Sequence, residues 1–175
     1  MHNHRITHVK KELKMEQLTV IVLFIAGILI RYGLSADTAL FIPLSFILVY
    51  CAFADLDRRV IPDEALKAGM IYRMLAVPLS EAMFSDLMRA FAGAAVMAVI
   101  LIPIPVMYER IRHRRSIGGG DIKLLVLAGA YLGAWNALAA LFAACILALL
   151  FSFRDGRTFP WGPAIAAGVF FGAVK

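Results

Sequence analysis

The sequence predicts an all-α membrane protein, a polytopic bundle of six or seven transmembrane helices. Hydrophobic residues make up 62% of its 175 residues and charged residues only 17%, and the mean hydropathy is +0.81. Several apolar stretches approach the roughly 20 residues that an α-helix needs to cross a bilayer. This composition excludes an ordinary water-soluble domain, and the length predicts one compact helical domain in the membrane.

Apolar runs mark the first three predicted helices. The first two are Leu18–Leu34 and Ala39–Ala54, joined by a short polar turn. A weaker third segment follows at Glu64–Leu79. Asp63 is its predicted cap, because an Asp at a helix start can accept hydrogen bonds from orphan backbone N–H groups. Arg73 lies inside this segment, where it either snorkels toward the interface or faces the bundle.

The second half of the chain predicts three or four more helices. Asp86–Tyr108 is the fourth. The run Ile122–Phe153 is too long for one crossing, since about 20 residues suffice. A break is offered by Gly129, Gly133 and Trp135-Asn136, and it divides this run into a short fifth helix and a sixth from about Ala137. Pro160–Val174, which is short and rich in Gly and Ala, is a candidate seventh.

Basic residues are distributed unevenly between the predicted connections. If the N-terminus is inside, the inner segments hold 14 of the 18 Lys and Arg residues, and these segments are 1–16, 55–67, 109–123 and 154–159. Lys and Arg concentrate in the cytoplasmic loops of membrane proteins. We therefore predict a cytoplasmic N-terminal segment, 1–16, and an integral domain of the cell (inner or plasma) membrane, 17–175. The net charge of +6 reflects this orientation, so nucleic-acid binding is not expected.

Two aspartates lie at the ends of apolar runs on the predicted cytoplasmic side. Asp55 follows the second run, and Asp121 follows the glycines Gly118, Gly119 and Gly120 at the start of the fifth. Ionisable groups beside the membrane core are costly to keep and by default mark function. Two carboxyls at matching depth suggest a pair that shares one proton and activates water, which is the chemistry of aspartyl proteases.

Together the two acidic motifs resemble the type IV prepilin peptidase family of GxGD membrane aspartyl proteases. The residues that carry this resemblance are Asp55 with Pro62 seven residues on, the run Gly118–Leu124 and the late run Phe159–Pro163. The likeness covers roughly residues 39 to 170. It implies that Asp55 and Asp121 are the catalytic pair. It also implies cleavage of the basic leader of prepilin-like or preflagellin-like substrates at the cytoplasmic membrane face.

Within that family the chain resembles the short, peptidase-only members. The longer, bifunctional form carries an N-terminal cytoplasmic insert with paired Cys-x-x-Cys motifs, which is associated with N-methylation of the product. This chain contains no Cys-x-x-Cys, and a short segment precedes its first apolar run. We expect an aspartic endopeptidase without N-methyltransferase activity, cofactor or metal. Its expected partners are a prepilin-like membrane protein and the lipid bilayer.

Residues around the second acid are candidates for binding the substrate. Gly118, Gly119 and Gly120 let a substrate backbone approach closely and can adopt a positive φ. Lys123 follows Asp121 by two residues. It either orients the substrate and tunes Asp121, or it is a lysine that snorkels at the interface.

Two functions from other classes stay as alternatives. Asp57 and Asp55 form a D-x-D pattern that would suit a magnesium-dependent lipid phosphotransferase. Hard cations need several oxygen ligands, however, and the neighbours here are Arg58 and Arg59. The other alternative is a small proton-coupled carrier that uses Asp55 and Asp121 as a relay. A protease assay with a prepilin-like peptide separates the three.

Asp57 is expected to lie away from the aspartate pair. Residues two apart on a helix diverge by about 200° around its axis. Asp55 and Asp57 therefore cannot both face Asp121 if the second helix continues through them. We expect Asp57 to point to water or to pair with Arg58 or Arg59 as a weak surface contact.

Overall fold

The computed structural model describes residues 2–80, 82–112, 118–155 and 161–175. Throughout these ranges the regular structure is helical and no strand occurs, which confirms the all-α membrane bundle. The helices are α1 (His2–Tyr32), α2 (Ala36–Arg58), α3 (Asp63–Ala76, followed by a 3₁₀ turn at Val77–Leu79), α4 (Met83–Leu101), α5 (Pro103–Arg112), α6 (Gly119–Asp155) and α7 (Trp161–Val174). The side chains of residues 1–14 lie outside the description, as do Phe159 and Pro160 of the late motif.

Within the described residues, four stretches are long and apolar enough to cross a membrane: Met15–Tyr32, Ala36–Arg58, Met83–Ile111 and Gly119–Ser152. The last of them is interrupted where the sequence predicts a break. Gly133 has φ 75° and ψ 172°, a conformation that glycine adopts readily because it has no Cβ. We call the two parts α6a (119–132) and α6b (134–155). With α5 continuing α4, the described ranges hold seven helical segments.

Contacts near the break define one end of the bundle, which we call the Gly133 end. The hydroxyl of Tyr32, the last residue of α1, donates to the carbonyl oxygen of Ala173 near the end of α7 at 2.7 Å. The side chain of Arg89, near the start of α4, lies against Gly133. The opposite end, called the Asp55 end, holds the end of α2 and the starts of α3, α6a and α7. Consecutive segments therefore alternate in direction.

Small residues allow the central helices to pack backbone to backbone. A Cβ atom added at Gly93 of α4 would overlap the carbonyl of Gly129 in α6a, and one at Gly168 of α7 would overlap the carbonyl of Ala140 in α6b. Interfaces between membrane helices are enriched in such small residues because they permit close van der Waals packing. The kinked α6 is thus held between α4 on its first half and α7 on its second.

Arg73 faces the bundle, which decides between the two alternatives predicted for it. Its side chain is 1% exposed and forms two hydrogen bonds with the Asp86 carboxylate, at 2.9 and 2.7 Å. Its Nε also donates to the carbonyl oxygen of Ala130 at 2.9 Å, and its guanidinium lies 5.9 Å from the ring centre of Tyr131. Bidentate pairing of this kind compensates a buried charge that would otherwise be costly. The contacts of Arg73 connect α3 to α4 and α6a.

Two predicted details at helix starts are wrong. The N-cap of α3 is Pro62, which makes no side-chain capping bond, and Asp63 is already the first helical residue. The Asp63 carboxylate instead accepts hydrogen bonds from Lys123 of α6. The second helix begins at Ala36 and not at Ala39, because Ser35 caps it by accepting a hydrogen bond from the backbone N–H of Thr38 at 3.4 Å. The turn between α1 and α2 is correspondingly shorter.

Candidate active site

The structure brings the two predicted aspartates together at the Asp55 end of the bundle. Asp55 lies in the last turn of α2 and is 8% exposed, and Asp121 lies in the first turn of α6. The two carboxyl groups are close enough for their charges to interact. Two acids from distant parts of the chain therefore form one site, as a carboxyl pair requires.

Asp55 is held by the start of α7. The backbone N–H of Gly162 donates to Asp55 Oδ2 at 2.7 Å. A Cβ at position 162 would stand 2.8 Å from Asp55 Cβ and 2.9 Å from Asp55 Oδ2, so residues with a side chain do not fit there without displacing the carboxylate. Sequence reasoning did not single out Gly162 as a site residue. The only signal was its place in the late motif that carries part of the resemblance.

Asp121 keeps one oxygen without a protein partner. Its backbone N–H donates to the carbonyl oxygen of Gly118 at 3.1 Å, which forms the first turn of α6. Its Oδ1 atom is buried and has no hydrogen-bond partner among the described residues. A buried polar oxygen without a partner costs free energy. Such an atom is suited to meet a group that a reactant supplies.

The three predicted glycines occupy three different environments. A Cβ at Gly118 would lie 2.8 Å from Asp121 Oδ2, and one at Gly120 would lie 2.9 Å from the Cβ of Ile61, just before α3. A Cβ at Gly119 would meet nothing within 4 Å. A side chain at Gly118 would therefore crowd Asp121 and one at Gly120 would crowd Ile61, whereas Gly119 is the position that leaves room for another chain. Substrate binding by these glycines stays a prediction.

Lys123 pairs with Asp63 and not with the aspartate pair. Its Nζ lies 2.8 Å from both carboxylate oxygens of Asp63, and both side chains are about half exposed. Asp63 lies outside the four candidate spans, and its hydrogen bond to Lys123 holds the pKa of that carboxyl below its usual range. The ion pair joins the start of α3 to the start of α6. A role for Lys123 in binding substrate stays a prediction.

Asp57 lies on the surface, as its spacing from Asp55 predicts. Its side chain is 67% exposed, and its Oδ2 lies 3.4 Å from the Nε of Arg58. An exposed pair of this kind contributes little to stability. Among the described residues, no group of three His, Cys, Asp or Glu side chains is arranged to hold a metal ion.

For the peptidase activity that the resemblance implies, we predict that Asp57→Asn retains most leader cleavage under conditions in which Asp55→Asn retains none, because Asp57 lies on the surface and Asp55 faces Asp121. The comparison uses matched membrane levels of the two variants and one prepilin substrate. An inactive Asp57→Asn beside an active Asp55→Asn would shift the catalytic assignment by two residues. Loss of activity in both variants, with a requirement for magnesium, would restore the D-x-D metal hypothesis.

Residues 42–153 match the sequence model of the type IV leader peptidase family. Three similar proteins carry the name prepilin leader peptidase/N-methyltransferase. The protein of Dichelobacter nodosus is 28% identical over 123 residues (68% of this chain, 42% of its own length). That of Aeromonas salmonicida is 28% identical over 168 residues (87% and 54%), and that of Burkholderia pseudomallei is 31% identical over 160 residues (84% and 51%). The chain spans about half the length of these relatives. No solved structure matches it significantly.

Proposed function

Because this chain belongs to the type IV leader peptidase family, we propose that it is an aspartic endopeptidase that removes the basic leader of prepilin-like or preflagellin-like membrane proteins. One observation carries the proposal above all. Two acids that lie far apart in the sequence meet at one end of a membrane bundle, where Asp121 Oδ1 is buried and has no partner in the part of the chain that the structure describes. The relatives' names, which include prepilin leader peptidase, support the substrate class.

The proposed mechanism uses Asp55 and Asp121 as a coupled acid and base. Two carboxyls this close do not both ionise cheaply, so one holds a proton. The ionised carboxylate takes a proton from water, the water oxygen bonds to the scissile carbonyl carbon, and the protonated carboxyl gives its proton to the carbonyl oxygen. The first carboxyl then gives its proton to the leaving nitrogen as the C–N bond breaks. A hydroxyl proton of the intermediate restores the second.

We propose that cleavage takes place at the cytoplasmic face of the inner or plasma membrane. The Asp55 end contains the connection 59–62, which falls within the Lys- and Arg-rich segment 55–67 of the sequence. The connection 33–35 at the Gly133 end contains no Lys and no Arg. Basic residues favour the cytoplasmic side. A substrate whose leader precedes its hydrophobic helix would present its cleavage site at this depth.

Leader cleavage by the purified chain tests the proposed function. The chain is reconstituted in lipid vesicles with a prepilin-like membrane protein, and the shortened product is followed by gel mobility and mass spectrometry. We expect cleavage in the presence of a chelator, because both proposed catalytic groups are carboxyls. An absolute need for magnesium would favour the phosphotransferase alternative. Proton flux across the vesicles without cleavage would favour the carrier alternative.

We also predict that this 175-residue chain leaves the new N-terminus of its product unmethylated. Methylation is expected to go with paired Cys-x-x-Cys motifs, and this sequence contains no such motif. The connection between α1 and α2 consists of residues 33–35. Mass spectrometry of product made with the purified chain and S-adenosylmethionine tests this. A product heavier by one methyl group, above a no-enzyme control, would contradict the peptidase-only proposal.

A further inference from the structure

The contact between Gly162 and Asp55 distinguishes the two acids of the proposed pair. Gly162 N donates to Asp55 Oδ2 at 2.7 Å across 107 residues of sequence, and this bond is buried. Asp121 receives no equivalent bond at its Oδ1 atom from any described residue. One carboxyl is therefore held by a backbone donor, and the other has a free buried oxygen. The environment of the pair is asymmetric.

The donor at position 162 lies at the N-terminus of α7 as the structure describes it. Trp161 is the first residue of α7, so Gly162 N–H is among the first four amides, which have no intrahelical partner. The helix dipole adds partial positive charge at this terminus. A hydrogen bond from such an amide is stronger to a charged carboxylate than to a neutral carboxyl. The start of α7 therefore offers Asp55 Oδ2 a donor that a carboxylate accepts more strongly than a neutral carboxyl does.

The buried Oδ1 atom of Asp121 is in the opposite situation, because no described residue donates a hydrogen bond to it. A charged carboxylate needs hydrogen-bond donors for its oxygens, and a buried oxygen without one disfavours the charge. If the pair holds one proton, the proton belongs on Asp121, where it can be donated to a substrate oxygen.

We propose that the Gly162 backbone N–H is a positioning group that assigns the base role to Asp55 and the acid role to Asp121. This inference rests on the proposed peptidase function. Asp55 takes the proton of the attacking water while the Gly162 N–H holds Oδ2. Asp121 gives its proton to the scissile carbonyl oxygen. Glycine fits position 162 because a Cβ there would stand 2.8 Å from Asp55 Cβ and 2.9 Å from the Oδ2 atom that the amide holds.

Replacing the amide of residue 162 by an ester tests the proposal without adding an atom. The full chain is made by cell-free synthesis with a suppressor tRNA that carries glycolic acid for position 162, which removes the N–H alone. The matched control carries lactic acid for Ala166, which removes an ordinary N–H within α7 and leaves Asp55 untouched. The probe is a prepilin-like membrane peptide with a basic leader, and kcat and KM are measured for each chain.

We expect the ester at 162 to lower kcat by about ten- to a hundredfold, the value of one hydrogen bond to a charged group, with KM unchanged. The ester at 166 is expected to keep most of its kcat. Gly162→Ala, made by ordinary mutagenesis, should also lose kcat because its methyl group displaces the carboxylate. A lower kcat with an unchanged KM, seen only with the ester at 162, indicates the positioning role. A purely structural role would instead lower the yield of folded protein for both esters.

Three results would overturn the inference. They are full kcat with the ester at 162, equal loss with both esters, and full kcat in Gly162→Ala. Each of them would leave the proposed function standing, since the unmodified chain would still cleave. If the unmodified chain does not cleave the peptide at all, the proposed function itself is wrong and the inference is wrong with it.

Discussion

Replacing either Asp55 or Asp121 by asparagine is expected to abolish leader cleavage while the protein still inserts and folds. Asparagine is close to aspartate in size, and its carbonyl oxygen can still accept the hydrogen bond that Gly162 N–H donates to Asp55. It cannot exchange a proton with water or with the scissile carbonyl. We expect a loss of about a thousandfold or more, within the range that acid–base groups contribute.

The double variant, Asp55→Asn with Asp121→Asn, is expected to be no worse than either single variant. Groups that act as one unit give losses that are not additive. Cleavage of one prepilin substrate is measured at matched membrane levels of each variant. Glu64→Gln is the control, because it removes an exposed carboxyl at the same end of the bundle. Substantial processing by either single variant would contradict the assignment of the pair.

Gly93→Ala is expected to destabilise the bundle more than other single-methyl additions. The new Cβ would overlap the carbonyl oxygen of Gly129 and lie 2.8 Å from the Cα of Gly133. Both neighbours are backbone atoms of the kinked α6, so they cannot move aside as the tip of a side chain can. Overpacking typically costs about 1–3 kcal/mol. We expect the upper end of that range, with reduced cleavage, because α6a carries Asp121.

Unfolding in detergent by a chemical denaturant, followed by tryptophan fluorescence, measures this effect. Ala92→Val is the matched control, since it adds carbon to the neighbouring position of α4, whose side chain is exposed. The free energy of unfolding should fall for Gly93→Ala and stay close to that of the parent chain for Ala92→Val. Equal stability of the two variants would show that α4 and α6a are not packed through Gly93.

Local properties of the chain predicted most of the helices. Apolar run length is a local quantity, and a helix satisfies all of its internal backbone groups without help from the rest of the fold, which is why hydropathy locates membrane helices well. The break at Gly133 was predictable for the same reason, because a glycine within a run too long for one crossing is where a positive φ costs least. Helix starts were predicted less well, since apolar run length does not mark the caps at which α2 and α3 begin, Ser35 and Pro62.

The candidate site was predicted in part. The spacing of residues along the chain explains which part was predicted and which was not. The positions of Asp55 and Asp121 at the ends of apolar runs placed both acids at one depth, and helical geometry separated Asp57 from them. Spacing along the chain does not reveal contacts between helices. The ion pair of Lys123 with Asp63 joins residues 60 apart, and the hydrogen bond of Gly162 with Asp55 joins residues 107 apart.

The sequence by itself determined the membrane bundle, the order of its helices and the two acids of the candidate site, because run length, charge and motif spacing are properties of the chain. Only the tertiary structure decided that Arg73 faces inward to Asp86, that Gly162 contacts Asp55, and that Asp121 Oδ1 has no partner among residues 2–80, 82–112, 118–155 and 161–175. The physical reason is that a buried polar group takes whichever partner packing brings within about 3 Å. That choice depends on how several helices meet.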